Sequence, residues 1–199
     1  MKQLYAMLDE YELATGDAAK AIETQIWAKY GCDRAVLVLD MSGFSRLTRR
    51  FGIVHYLAMV RRMQQTSGPL VLQHGGEIVK FEADNLFATF ADTLAAVQCA
   101  RTICQAFRRN NAVTADDKDV RVSIGIAWGR ILVVAHHDYF GDAVNVACKL
   151  GEDLAEPEEI LMDDAARQRL PEQIEGVRLD PLDLTISGLS LHAWGVRDA

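Results

Sequence analysis

The chain has 199 residues, half of them hydrophobic, with 28 acidic and 21 basic side chains and a formal net charge of −7. That length and apolar fraction suit one large domain, or one domain with a small extension. An acidic chain with no long run of Lys or Arg lacks the basic face that nucleic-acid backbones require, although a nucleotide substrate stays open.

No apolar stretch approaches the roughly 18 residues of a membrane span, and the opening MKQLYAMLDEYE reads as too acidic for a signal peptide. Cys32, Cys99, Cys104 and Cys148 are scattered without paired spacing. They read as reduced thiols of a cytoplasmic protein rather than a zinc site or disulfide frame.

Residues 2–13 and 17–30 are expected to form two helices separated by Thr15-Gly16. In the second, Ala18, Ala19, Ile22, Ile26 and Tyr30 make an amphipathic stripe, suited to the domain or to a partner's copy. Residues 35–39 are a short apolar run, the length of a strand buried on both faces, and it stops at Asp40. Ser42 is placed to cap a helix from Phe44 onward, and Ile53, Tyr56, Leu57, Val60 and Met63 continue helical spacing toward Leu72. Arg49, Arg50, Arg61 and Arg62 around it read as a solvated face.

His74-Gly75-Gly76 ends that helix. Residues 77–81 and 86–90 then read as two strands about a turn at residues 82–85, with Asp84 at or beside its tip. If this hairpin pairs with the first strand, Asp40 and Asp84 converge. Residues 93–109 are expected as a helix, 110–119 as a polar loop, 120–127 as a strand and 131–135 as its hairpin partner. A helix from about Asp142 to Leu154, a short strand at 159–162, a short helix at 163–170 and strands near 174–180 and 190–196 complete an α+β sandwich, with helices covering a mostly antiparallel sheet.

Three blocks carry a family likeness. LVLDMSGFSRL is a strand ending in Asp before a small-Gly-Phe turn; HGGEIVKFEADNLFATF has Gly-Gly, then Lys, then Asp four residues later; DYFGDAVNVACKL has Asp before an aromatic-Gly turn and then Asn on a helix. In this order and spacing they make the chain resemble the catalytic domain of class III adenylyl/guanylyl cyclases over about residues 33–196. The resemblance implies a ferredoxin-like nucleotide-cyclase fold, with residues 1–31 as a helical extension and 32–199 as the catalytic domain.

The same resemblance implies roles. Asp40 and Asp84, with the Met41 carbonyl as a further ligand, would hold two Mg²⁺ or Mn²⁺ ions. Lys80 and Asp138 match the base-selecting pair, Phe44 belongs to the substrate-binding turn, and Asn145 matches the residue that orients the ribose. An ammonium donating to ring N1 and a carboxylate accepting from the exocyclic amine suit adenine and reject guanine. Family sites combine the metal aspartates of one chain with the base pair and Asn of the other, so a chain with both sets implies a homodimer that converts ATP to 3′,5′-cyclic AMP and pyrophosphate.

The chain also departs from the pattern. Lys149 stands where the family has a phosphate-binding Arg, Ser187-Gly188-Leu189 stands for a Lys-Gly-Lys, Ala83 replaces the Gly before the second Asp, and the stretch between Gly129 and Asp138 is short. Positive charge on the phosphates is a transition-state device, so its thinning implies slow turnover. The alternative reading is a catalytically weak cyclase-like domain that binds nucleotide or a partner chain as a regulatory module.

Overall fold

A computed structural model describes residues 1–134, 137–186 and 189–199. The fold is built around β1 (Gly31–Met41), which has β3 (Asn85–Phe90) on one side and β4 (Val122–Val134) on the other, both antiparallel to it. Ala35, Val36, Leu37, Val38 and Leu39 are all fully buried, and their alternation explains why the run is continuously apolar. Ala35, Leu37, Leu39 and Met41 face the main core, whereas Val36 and Val38 face a second one. Truncating Leu37 to Ala would therefore cost about 2–5 kcal/mol.

Among the described residues eight strands form one sheet in the order β2-β3-β1-β4-β6-β8-β7, with β5 (Asp138–Phe140) paired to β4 off that path. Strand β2 is Glu77–Glu82, β6 is Ile160–Asp163, β7 is Val177–Ile186 and β8 is Leu189–Asp198. The pairing is antiparallel except between β4 and β6. Helices α4 (Ile53–Gln73) and α5 (Thr93–Asn111) cover the face with the main core. Helix α6 (Asp142–Cys148) covers the other through Ala143 and Ala147. This is the α+β, ferredoxin-like arrangement of a mostly antiparallel sheet under helices.

Two local expectations are corrected. The expected hairpin of residues 120–127 with 131–135 is not found among the described residues: β4 runs unbroken from Val122 to Val134 in register with all of β1, and its hairpin partner is β5. Gly129 lies between the two strands expected there, and a Cβ on it would meet the Ala143 Cβ at 2.9 Å, so its smallness serves the approach of α6. The helix after Asp40 is also two helices, α3 (Phe44–Phe51) and α4, separated at Gly52, whose φ of 86° lies in the left-handed region glycine tolerates.

At the N-terminus, α1 (Lys2–Leu13) and α2 (Gly16–Tyr30) form a helical hairpin ahead of β1. Leu4 and Ile26 bury themselves against Val134 near the end of β4. A short helix α7 (Asp164–Arg167) follows β6, capped by the Asp163 carboxylate accepting from the Ala166 N–H at 2.7 Å.

Candidate active site

β1 delivers Asp40 to the edge of the core, and Ser42 follows with its N–H bonded to the Arg121 carbonyl at 2.9 Å. Gly43 adopts φ 100° at the start of α3, so the N-cap position belongs to Gly43 and not to Ser42. The β2–β3 hairpin brings Asp84 to the same place. It pairs with β1 through β3, with Leu86 opposite Leu39, so its tip lies at the Asp40 end of the sheet.

The two carboxylates bear on each other. Burial pushes the Asp40 carboxyl up to about 7, and the negative charges of Asp84 and Glu152 add to the rise; a backbone hydrogen bond from Met41 opposes it. Asp84 is held by the Tyr56 hydroxyl, which donates to its Oδ2 at 2.6 Å. Burial, that hydrogen bond and the carboxylate charge raise the Tyr56 phenol well above its ordinary value, keeping it a donor. Phe44 stacks edge-on against Tyr56 at 4.8 Å while remaining 48% exposed, and the Met41 side chain is buried in the main core.

The turn that presents Asp84 is strained. Ala83 sits at φ 49°, a region where a Cβ costs about 1–2 kcal/mol. This is the position where glycine was expected from the resemblance.

A second group assembles beside the hairpin. A bulge between Ile78 and Lys80 shifts the register so that Lys80 lies opposite Phe87. The Lys80 ammonium reaches Glu82 at 2.7 Å and Asp138 at 3.3 Å, and it stands 5.1 Å from the Phe87 ring centroid. Its pKa is raised, first by the Glu82 hydrogen bond and then, against the cost of burial, by Asp138. Asp138 is fixed by the Tyr139 N–H, which donates to its Oδ1 at 2.9 Å. The Tyr139 ring meets Phe87 edge-on at 6.2 Å, giving the pair an aromatic floor.

Asn145 and Lys149 project from α6 four residues apart, both exposed, so they share a helix face. At Lys149 the helix opens into a π-helical turn, Lys149–Leu154. That turn lies flat on the sheet because Gly125 and Gly151 meet without side chains: a Cβ on Gly151 would stand 2.8 Å from both the Val38 carbonyl and the Gly125 nitrogen. Glu152 is thereby brought to the hairpin, where its Oε1 accepts from the Asn85 side chain at 3.0 Å. Burial raises the Glu152 carboxyl, and burial together with Glu152 pushes the Cys148 thiol up to about 11.

The structure therefore brings Asp40 together with Asp84 and Lys80 together with Asp138; Asn145 and Lys149 form a third, separate group on α6. Tyr56, Glu82 and Glu152 were not picked out from the sequence as site residues. Tyr56 was visible only as one more position in a helical stripe, and Glu82 only through its i+2 spacing from Lys80 on a strand. Of the Ser187-Gly188-Leu189 departure, residues 187–188 lie outside the described residues.

Next to the Ser42-Gly43 turn opens a cavity of about 640 Å³. Arg46, Arg50 and Arg121 line it together with Asp116, Asp117 and Asp119, so the wall carries as many acids as arginines and forms no cationic funnel. Among the described residues no three His, Cys, Asp or Glu side chains converge as a ready-made metal cage, and no helix is long and apolar enough to cross a membrane.

The mostly antiparallel, ferredoxin-like sheet under helices is the fold of a known class of proteins. Residues 32–192 match the family described as the Adenylate and Guanylate cyclase catalytic domain, and the chain belongs to that family. It is 31% identical over 134 residues to "Putative adenylate cyclase 3" of Rhizobium meliloti (strain 1021), covering 67% of this chain and 22% of that protein. It is 29% identical over 136 residues to an "Adenylate cyclase" of Streptomyces coelicolor (strain ATCC BAA-471 / A3(2) / M145), covering 68% and 34%. The matches thus span between 22% and 34% of the length of the curated relatives. Among solved structures, the Adenylate/Guanylate Cyclase/Hydrolase from Silicibacter pomeroyi superposes with a TM-score of 0.69 at 31% identity, covering 83% of this chain and 96% of that one.

Proposed function

We propose that the chain is an adenylyl cyclase that converts ATP to 3′,5′-cyclic AMP and pyrophosphate, working as a homodimer with composite sites. Residues 32–199 form the catalytic domain and residues 1–31 a helical extension to it. The observation that carries the adenine assignment is the Lys80–Asp138 pair, 3.3 Å apart and partly buried beside the Phe87 ring.

Asp40 and Asp84 suit Mg²⁺ or Mn²⁺, with the Met41 carbonyl as a further oxygen. A buried Asp40 carboxyl whose cost of ionisation is raised by burial and by the neighbouring Asp84 is what cations would relieve, and phosphate oxygens and water would complete each shell. When bound, such ions supply charge neutralisation for the triphosphate and acidify the ribose 3′-hydroxyl.

The remaining work falls to the chain. Lys80 donates to adenine N1 and Asp138 accepts from the exocyclic amine, each exchanging part of its present ion pair for the base. Asn145 orients the ribose so that its 3′-oxygen lies in line with the α-phosphate, and Lys149 places one positive charge on the phosphates. Phe44 closes the turn over the substrate. Tyr56 fixes the Asp84 carboxylate and does not touch the reacting atoms.

Cyclic AMP formation from ATP by the purified protein with Mn²⁺ tests this reading. Product from ATP and far less from GTP is expected. Nucleotide binding without any cyclic product would favour the regulatory-module reading, for which Lys149 in place of an arginine is the supporting observation.

A further inference from the structure

The longest acid-free stretch of this acidic chain carries a cluster of arginines. From Met41 to Gly76 there are five arginines and no Asp or Glu, and this stretch makes the turn, α3 and α4. Its outer face is also apolar. Ile53, Val54 and Leu57 are 49%, 78% and 56% exposed, with exposed Arg49 and Arg50 just before them and exposed Arg61 one turn beyond Leu57. Large aliphatic side chains clustered in water mark an interaction surface when they are contiguous and charged at the rim.

Helix α1 presents the complement. Tyr5, Leu8 and Tyr11 recur every third residue and are 53%, 41% and 41% exposed; buried Leu4 lies between Leu8 and Tyr11 around the helix, with Tyr5 a quarter turn away from it. Asp9 and Glu12 stand one turn after Tyr5 and Leu8 and are exposed, so carboxylates flank the apolar stripe. The inner side of α1, centred on Leu4, is taken by α2 and the end of β4, leaving Tyr5, Asp9 and Glu12 turned outward with Leu8 at the edge of that face.

We infer that α1 of one protomer docks on α3–α4 of a second copy of this chain. The inference rests on the composite-site reading and deepens it. The α1–α2 hairpin packs on Leu132 and Val134, the strand neighbours of Phe140 and Asp138, so it stands beside the base-selecting Asp138. Helix α3 begins immediately after the turn that follows Asp40. A dimer that sets Asp138 of one protomer across from Asp40 of its partner places α1–α2 of the first next to α3–α4 of the second. The two-fold repeats the contact, which uses both faces twice and closes without leaving either exposed. Opposite charge on the rims gives the pairing its direction and a dependence on salt.

The test is dimer affinity by sedimentation equilibrium on the full chain, with circular dichroism confirming the fold of each variant. Arg49→Glu with Arg50→Glu should weaken the dimer at least ~10-fold, and Asp9→Lys with Glu12→Lys should do the same. Combining all four substitutions restores the opposite-charge pairing in reverse and should recover most of the lost affinity. Leu8→Ser, which changes no charge, should also weaken the dimer. A dimer indifferent to both charge sets overturns this inference alone. A wild-type chain that stays monomeric overturns the composite-site reading and this inference together. If the arginine variant keeps its dimer affinity but loses binding to phosphatidylserine vesicles, the basic face belongs to a lipid surface and the inference fails.

Discussion

The two charged groups beside the β2–β3 hairpin are built on opposite principles. At its tip, Asp40 and Asp84 crowd like charges, answered by the Tyr56 hydroxyl and a backbone hydrogen bond from Met41. Four residues before Asp84, Lys80 sits between Glu82 and Asp138 with its charge already answered. The first group is electrostatically unfinished and favours whatever positive charge arrives. The second is finished, and in the proposed function it exchanges one set of partners for another. A site that must collect cations thus costs the fold stability, whereas a site that must read hydrogen-bond polarity does not.

The contrast breaks most sharply at the tip. Asp40→Asn and Asp84→Ala should each abolish cyclic AMP formation while circular dichroism stays unchanged. Asp40→Asn should also stabilise the metal-free fold. Because the folded-state pKa of Asp40 is raised, the proton it holds favours folding at low pH, and that advantage is lost as pH climbs from 3.8 through about 7. The melting temperature of Asp40→Asn should therefore match wild type near pH 4 and exceed it at pH 8. A variant melting below wild type at pH 8 would show that the carboxylate is not uncompensated.

The finished pair should fail more gently. Lys80→Glu with Asp138→Cys presents the polarity guanine needs, so the ratio of kcat/KM for ATP over GTP should collapse while total turnover survives. Each mismatched buried polar group is worth ~1–3 kcal/mol, so the wild-type ratio should be large. Comparable use of both nucleotides by wild type would remove the adenine assignment.

Lys149 lies outside both groups and should matter less. An arginine there holds two phosphate oxygens where lysine holds one, so Lys149→Arg should raise kcat by ~10-fold, the equivalent of about 1.5 kcal/mol in the transition state, with KM less affected. Lys149→Ala should lower it. Unchanged turnover in both would turn residue 149 away from the phosphates. The smallest effect belongs to the hairpin itself: Ala83→Gly relieves the φ of 49° and should stabilise the fold by ~1 kcal/mol in urea titration.

Much of this arrangement was legible in the chain because it follows from periodicity. The run at residues 35–39 announced a strand covered on both faces, and residues 77–90 announced a hairpin whose tip could meet its end. The strand that continues through Trp128-Gly129-Arg130 was not legible, because a glycine needed for the close approach of α6 looks the same in sequence as a glycine needed for a turn. Gly52 hid in the same way, inside a stripe whose helical spacing resumes immediately after it. Tyr56, Glu82 and Glu152 escaped notice for a different reason. Their partners, Asp84, Lys80 and Asn85, lie 28, 2 and 67 positions away, and the two long separations are closed only by tertiary packing.

In the proposed homodimer each working site takes Asp40 and Asp84 from one protomer and Asn145 from its partner. Asp84→Ala and Asn145→Ala chains, each inactive alone, are mixed in equal amounts and cyclic AMP formation is followed with Mn²⁺ and ATP. Heterodimers carry one site with both lesions and one with neither, so the mixture should regain about a quarter of wild-type activity if chains pair at random and the two sites act independently. A mixture that stays silent, with heterodimers confirmed by mass spectrometry under native conditions, would contradict the account.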